Sequence, residues 1–116
     1  MIYQAAGASG KGIFSAAKQG GVLAIGVDSD QYNQATVADT KDVIVSSMLK
    51  RVDVAVYDFI KSYVDGNVLT GVQTFDLKRD GVGYATSGGK VDDIKSKLDD
   101  YKQQIIDGKI KVPTKP

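Results

Sequence analysis

The chain has 116 residues, 42% of them hydrophobic and 25% charged, a composition typical of one globular domain that can bury a core. Its 15 basic and 14 acidic residues leave a net charge of +1 without a strong basic cluster, which argues against nucleic acid as a partner. Cysteine and histidine are both absent, which removes thiol nucleophiles, the commonest transition-metal ligands and the usual general base. We therefore expect no catalytic residue, no metal and no other cofactor.

The first residues predict a strand, a glycine-rich loop and a helix. Residues 2–5 are an apolar run typical of a short buried strand, Gly7 opens the loop GASGKG, and the helix is expected from Ile13. Glycine allows the backbone to approach a ligand closely, so the N–H groups of this loop could face an anionic group. The spacing matches neither the dinucleotide fingerprint nor the phosphate loop, so a tight turn without a ligand stays open as an alternative.

The stretch LAIGVDSDQ, residues 23–31, predicts a second strand that ends at two carboxylates. An apolar strand without polar alternation is typical of a parallel sheet covered on both faces, and such sheets bind ligands beyond the carboxyl ends of their strands. Asp28 lies at that end, where it is either a ligand-binding group or a helix cap. We expect Asp30 to be the cap. A right-handed crossover then places Gly7 and Asp28 at the same edge of the sheet.

Later residues predict a third strand at 43–47 and an amphipathic helix that opens at Met48, with an apolar stripe at 52–63. Core packing is the simplest explanation of that stripe. Strands at 72–77 and 82–85, joined by a turn at 78–81, predict a hairpin that extends the sheet in the antiparallel direction.

The last predicted helix covers residues 91–107 and ends at Gly108, and the tail at 109–116 is expected to be extended because it contains two prolines.

At the start of the sequence, Met1 leads straight into an apolar run, from which we expect a truncated fragment. We expect such a fragment to expose an apolar surface and to self-associate.

Four stretches of the sequence together point to one known family: IYQAAGASGKGIF, AIGVDSDQ, VIVSSMLKRVDVAVYDFI and IIDGKIKVP. They resemble the basic membrane protein (BMP) family, whose members are substrate-binding lipoproteins of bacterial ABC transporters and are related to purine nucleoside receptor lipoproteins. The resemblance implies an α/β fold, the parallel-sheet, Rossmann-like lobe of a type I periplasmic-binding-protein fold, here truncated. It implies that residues 1–47 form a βαβ unit and hinge strand of the second lobe. Residues 48–116 would form a helix, a hairpin and a C-terminal helix, with the helix from Arg51 packing on the missing first lobe.

The same resemblance implies a purine nucleoside ligand, an ABC transporter permease as partner, and a lipid-anchored parent protein at the cell surface or in the periplasm. It places the ribose-binding carboxylate on Asp28, a sugar-contacting lysine on Lys50 and the close backbone approach on Gly7. For Lys50, a solvated residue at a helix start is the alternative. Aromatic side chains that stack a base would come from missing upstream segments, so we expect Tyr3 and Phe14 in the core.

This family implies a binding protein and not an enzyme, but two other interpretations stay open. A nucleotide-binding α/β enzyme domain would use the glycine loop and Asp28, and it would need a base or a metal for turnover. A receiver-like signalling module would use Asp28 and Asp30, but it would need acidic residues at the ends of different strands, which the sequence does not offer.

Overall fold

A four-stranded sheet forms the centre of the computed structural model, which describes residues 1–113. The strands are β1 (Ile2–Tyr3), β2 (Ala24–Asp28), β3 (Ile44–Lys50) and β4 (Val82–Tyr84). Their order in the sheet is β1-β2-β3-β4. The first three strands are parallel and β4 is antiparallel to β3, which confirms the predicted mixed sheet with an antiparallel addition.

Three α-helices accompany the sheet, and short 3₁₀ turns form much of the remaining chain. Helix α1 (Gly10–Gln19) ends in a Schellman motif, in which the Val22 N–H donates to Ala17 O at 2.9 Å and Gly21 adopts a positive φ of 63°. No helix among residues 1–113 is long and apolar enough to cross a membrane. The helices are α1 (Gly10–Gln19), α2 (Val52–Val64) and α3 (Lys95–Ile106). The 3₁₀ turns are Gly7–Ser9, Gln31–Asn33, Ala35–Val37, Lys41–Val43 and Asp92–Ile94.

The main core lies between α1, the first residues of β2 and β3, and the turns that connect them. Phe14 is fully buried there, as predicted. Tyr3 is 57% exposed, so its predicted place in the core is wrong. Among residues 1–113, β1 pairs only with β2, and an edge strand leaves one side open to solvent. The core residues are Phe14, Ala17, Ala24, Val37, Val43 and Ile44.

Strand β3 extends further than predicted, through Lys50, and α2 begins at Val52 instead of Met48. The reason is non-local. Residues 48–50 pair with β4, and this antiparallel ladder keeps them extended although their sequence is compatible with a helix start. The expected division of the chain into residues 1–47 and residues 48–116 therefore falls inside strand β3.

The predicted hairpin is only half formed, because residues 72–77 contain no strand. Strand β4 pairs with β3 and lies at the edge of the sheet without a partner on its other side among residues 1–113. Asp76 accounts for the turn alone. Its Oδ1 accepts the backbone N–H groups of Lys78 at 3.0 Å and Arg79 at 3.1 Å, so the predicted turn forms as a local loop. Asp80 completes this turn with a positive φ of 53°.

Helix α3 confirms the last predicted helix in a shorter form, and Gly108 follows it with a positive φ of 74°. The tail prediction falls partly on residues 114–116, which lie outside the described residues. The predicted apolar face of α3 lines a groove of about 410 Å³ against the face of the sheet opposite α1. The groove residues on α3 and its 3₁₀ lead-in are Ile94, Leu98, Tyr101, Lys102 and Ile105, and those on the sheet include Ile25, Val45 and Met48.

Candidate ligand site at the carboxyl edge of the sheet

The three residues predicted to bind a ligand all lie at one edge of the sheet. Asp28 is the last residue of β2, Lys50 is the last residue of β3, and Gly7 follows β1. Because these strands are parallel, their carboxyl ends share an edge, and Asp28 is in register with Leu49, the neighbour of Lys50. All three residues are exposed. The predicted parallel pairing is confirmed, and the role of these residues in binding stays a prediction.

Asp28 has an uncommon backbone conformation. Its φ is 69°, and the Ser29 N–H donates to Val27 O at 2.9 Å across it. A three-residue turn with a positive φ at its centre is rare and strained for a residue other than glycine. Strained residues concentrate at functional sites, where the surrounding structure holds them in place. This geometry distinguishes Asp28 from an ordinary helix cap.

Asp30 stands at the start of the 3₁₀ turn Gln31–Asn33, but its side chain makes no capping hydrogen bond to the backbone. The predicted cap is therefore wrong. Instead, Asp30 Oδ2 accepts from Asn33 Nδ2 at 2.7 Å and from Ser87 Oγ at 2.5 Å. These bonds connect the segment after β2 to the segment after β4, a contact between residues too distant in sequence for a local pattern to predict.

Lys50 differs from its neighbour Arg51 in its electrostatic surroundings. Arg51 donates to Asp53 at 2.9 Å and to Asp80 at 3.2 Å. The hydrogen bond from Arg51 lowers the pKa of the Asp53 carboxyl below its ordinary value, and the same bond raises the pKa of Arg51. Within residues 1–113, no carboxylate forms an ion pair with Lys50. Its ammonium group is therefore accessible at the end of β3, directly before Arg51, the N-cap of α2, so the alternative of a solvated residue near a helix start stays open.

Gly7 begins a 3₁₀ turn with a positive φ of 52°, and the space where a Cβ would lie is open. Helix α1 starts at Gly10, so the predicted glycine-rich loop shrinks to residues 7–9. The turn leaves the backbone of Gly7 accessible to a ligand at the carboxyl edge. No group of three or more acidic, histidine or cysteine side chains in the described part of the chain is placed to hold a metal ion.

Three buried polar residues under this edge were not predicted. Gln4 is 2% exposed, Gln31 is 8% exposed and Ser47 is fully buried. Gln31 Oε1 accepts from Gln4 Nε2 at 2.9 Å, and the Gln31 N–H donates to Ser47 Oγ at 3.2 Å. For Gln4 and Ser47 the available sequence signal was a polar residue inside an apolar run, as in IYQAA and VIVSSM, and Gln31 gave no such signal. Such residues need partners when buried, but the sequence does not show which ones.

Comparison with known families decides the assignment. Residues 1–116 match the family Bmp, described as ABC transporter substrate-binding protein PnrA-like. The chain belongs to this family. The resemblance inferred from the four sequence stretches is therefore confirmed over the whole chain.

Curated relatives of this Bmp-family chain are much longer than the chain itself. It is 38% identical to the CD4+ T-cell-stimulating antigen of Listeria monocytogenes over 100% of its own length and 36% of the relative. It is 36% identical to the ABC transporter nucleoside-binding protein BmpA of Lactococcus lactis, over 99% of this chain and 36% of BmpA. An uncharacterized lipoprotein of Pyrococcus abyssi is 42% identical over 72% of this chain and 21% of the lipoprotein. The chain thus spans about a third of the first two relatives.

Solved structures agree with this family assignment. An ABC transporter solute-binding protein from Aeropyrum pernix superposes with a TM-score of 0.67 at 29% identity, over 98% of this chain and 40% of that protein. The fold of the Bmp-family chain is accordingly the α/β parallel-sheet lobe of a periplasmic solute-binding protein.

Proposed function

We propose that this chain forms part of a receptor that binds a purine nucleoside, or a similar ribose-containing ligand, at the carboxyl edge of its sheet. The observation that carries the proposal is the strained, exposed Asp28 at the end of β2, beside Lys50 at the end of β3. A nucleoside-binding protein among the relatives, BmpA, supports the choice of ligand.

Ribose recognition follows from the chemistry of these two side chains. An ionised Asp28 accepts hydrogen bonds only, so its two oxygens can accept from both ribose hydroxyls. The Lys50 ammonium donates to a sugar oxygen, and bonds to charged groups are stronger than neutral ones. The backbone at Gly7 adds polar contact without a side chain in the way. Together these contacts would hold and orient a ligand, as binding requires.

The architecture of the receptor is the second part of the proposal. Residues 1–47 belong to the second lobe, and residues 48–116 include the helix α2, which packs on a first lobe. Supporting this, α2 exposes a continuous apolar face that residues 1–113 do not cover. The face comprises Val52, Val56, Phe59, Ile60 and Tyr63, which are 51 to 70% exposed.

Ligand binding between two lobes gives the receptor its signal. Closure of the lobes around the nucleoside would present the loaded form to an ABC transporter permease. The lipoprotein name of the Pyrococcus abyssi relative supports a lipid anchor at the cell surface or in the periplasm for the parent protein.

Calorimetric titration of the two-lobed protein that contains this chain tests the ligand assignment. We expect inosine and adenosine to bind more tightly than hypoxanthine and adenine. The Asp28→Asn variant keeps the shape of the side chain and its tolerance of positive φ, but it loses the charge. It should bind nucleosides about 2 kcal/mol more weakly, because the ribose hydroxyls lose a charged acceptor in a closed cleft.

The matched control is Asp93→Asn, an exposed aspartate in the turn before α3, which should bind like the unmodified protein. The nucleoside should be recovered unchanged after incubation. Free bases that bind as tightly as nucleosides, or an Asp28→Asn variant with unchanged affinity, would contradict ribose recognition by Asp28. A nucleoside hydrolysed to base and ribose would favour an enzyme.

A further inference from the structure

A buried amide network lies directly under the carboxyl edge, and from its contacts we propose that Gln31 is a positioning residue for Asp28. This inference rests on the proposed function, because it concerns how the same site holds its ribose-binding carboxylate. Gln31 contacts all three strands that carry the site: its side chain bonds to Gln4 after β1 and to Val27 near the end of β2, and its backbone N–H bonds to Ser47 in the middle of β3.

The side chain of Gln31 takes a place in the sheet that β1 leaves empty. The last backbone bond from the β1 segment to β2 is Gln4 N–H to Ile25 O, at 3.3 Å. Two residues later, on the same side of β2, the Val27 N–H donates to Gln31 Oε1 at 2.9 Å. Gln31 thus satisfies a backbone group that a longer β1 would otherwise bind.

Backbone donors determine the orientation of both amide groups. The Ala6 N–H donates to Gln4 Oε1 at 3.0 Å, so Gln4 presents its Nε2 to Gln31. The Gln31 oxygen then accepts two bonds, one from Gln4 Nε2 and one from the Val27 N–H. Since a backbone N–H only donates, exchanging the oxygen and nitrogen of either amide would set donor against donor.

Two glycines show how little free space the network has. A Cβ at Gly26 would lie 2.4 Å from Gln31 Oε1 and 2.8 Å from Ser47 Oγ. A Cβ at Gly10 would lie 2.5 Å from Gln4 Nε2. Only glycine fits at either position without displacing the amide groups, so the network packs closely against both glycines.

The connection to Asp28 runs through the preceding residue. Gln31 holds the Val27 N–H, and the Val27 carbonyl accepts the Ser29 N–H that closes the turn around Asp28. A strained conformation persists only where neighbouring contacts determine it. Gln31 supplies such a contact one residue before Asp28, so the geometry of the ribose-binding carboxylate depends on it.

Gln31→Met in the two-lobed protein tests this role, because methionine has nearly the same length and lacks the acceptor. We expect the affinity for inosine to fall at least tenfold. The affinity for 2′,3′-dideoxyinosine, which has no ribose hydroxyls for Asp28, should change less than twofold. In the Asp28→Asn background, Gln31→Met should weaken inosine binding less than twofold, since the residue acts through Asp28.

Gln19→Met is the control, an exposed glutamine at the end of α1, and it should leave both affinities unchanged. If Gln31→Met does not fold, Gln4→Met is the second variant, because it removes one of the two bonds to Gln31 Oε1. It should lower the ratio of the inosine affinity to the dideoxyinosine affinity, by a smaller factor than Gln31→Met would. Equal weakening of both ligands, or no weakening, overturns the positioning role. Failure of the proposed function looks different: the unmodified protein then shows no preference for inosine over its dideoxy analogue.

Discussion

Helices α1 and α2 are both amphipathic, but only α1 has its apolar face covered by the described residues. Phe14 and Ala17 of α1 are fully buried against the sheet, whereas Phe59 and Tyr63 of α2 are 51% and 70% exposed. An apolar stripe indicates that a helix face will be buried but not which surface will bury it. Residues 1–113 do not supply the core packing expected for the α2 stripe, and the expected exposed apolar surface is confirmed.

Truncating one phenylalanine on each helix sharpens this comparison. Phe14→Ala should lower the free energy of unfolding of the chain by about 3 to 5 kcal/mol, because it leaves a cavity in the core. Phe59→Ala should lower it by less than about 0.5 kcal/mol, since an exposed side chain loses little when it is shortened.

Urea denaturation at a concentration where the chain is monomeric measures both values. Similar losses for the two variants would show that α2 is packed in the free chain, and the contrast between the helices would be wrong.

Self-association is the next largest expected effect. The free chain should associate through the α2 face as its concentration rises, because large apolar patches are rarely left in water. Val56→Lys combined with Phe59→Lys should abolish the association, and light scattering measures it as a fall in average mass.

Val72→Lys serves as the matched control, since Val72 is 98% exposed in the loop that follows α2. A chain that is monomeric at every concentration would contradict this prediction. So would a Val72→Lys variant that dissociates as fully as the α2 variant.

Local sequence patterns were sufficient for the parts of the fold built from neighbouring residues. The apolar run before Asp28, the glycines after β1 and the glycine pair after α1 predicted the parallel β1–β2 unit and its shared edge. The family resemblance added Lys50, and the β3–β4 ladder explains why this residue ends a strand.

Non-local contacts account for what the sequence did not predict. Residues 48–50 are extended because of β4, and Asp30 is held by Ser87 from a distant segment. Gln31 also escaped notice, because a glutamine in a polar loop gives no indication that its amide will replace part of a strand. The positive φ of Asp28 was not predicted either, because an aspartate in the sequence does not by itself indicate a positive φ.

One substitution tests the central claim, which is that the strained backbone of Asp28 positions its carboxylate to bind a ligand. Glycine adopts a positive φ without strain, so Asp28→Gly removes the carboxylate and relieves the backbone at once. Both effects are measured on the two-lobed protein, by thermal unfolding without ligand and by calorimetric titration with inosine. We predict an unfolding temperature that is unchanged or higher, together with a loss of inosine affinity of about 2 kcal/mol. Retained affinity, or a clear fall in the unfolding temperature, would show that Asp28 serves the fold and not the ligand.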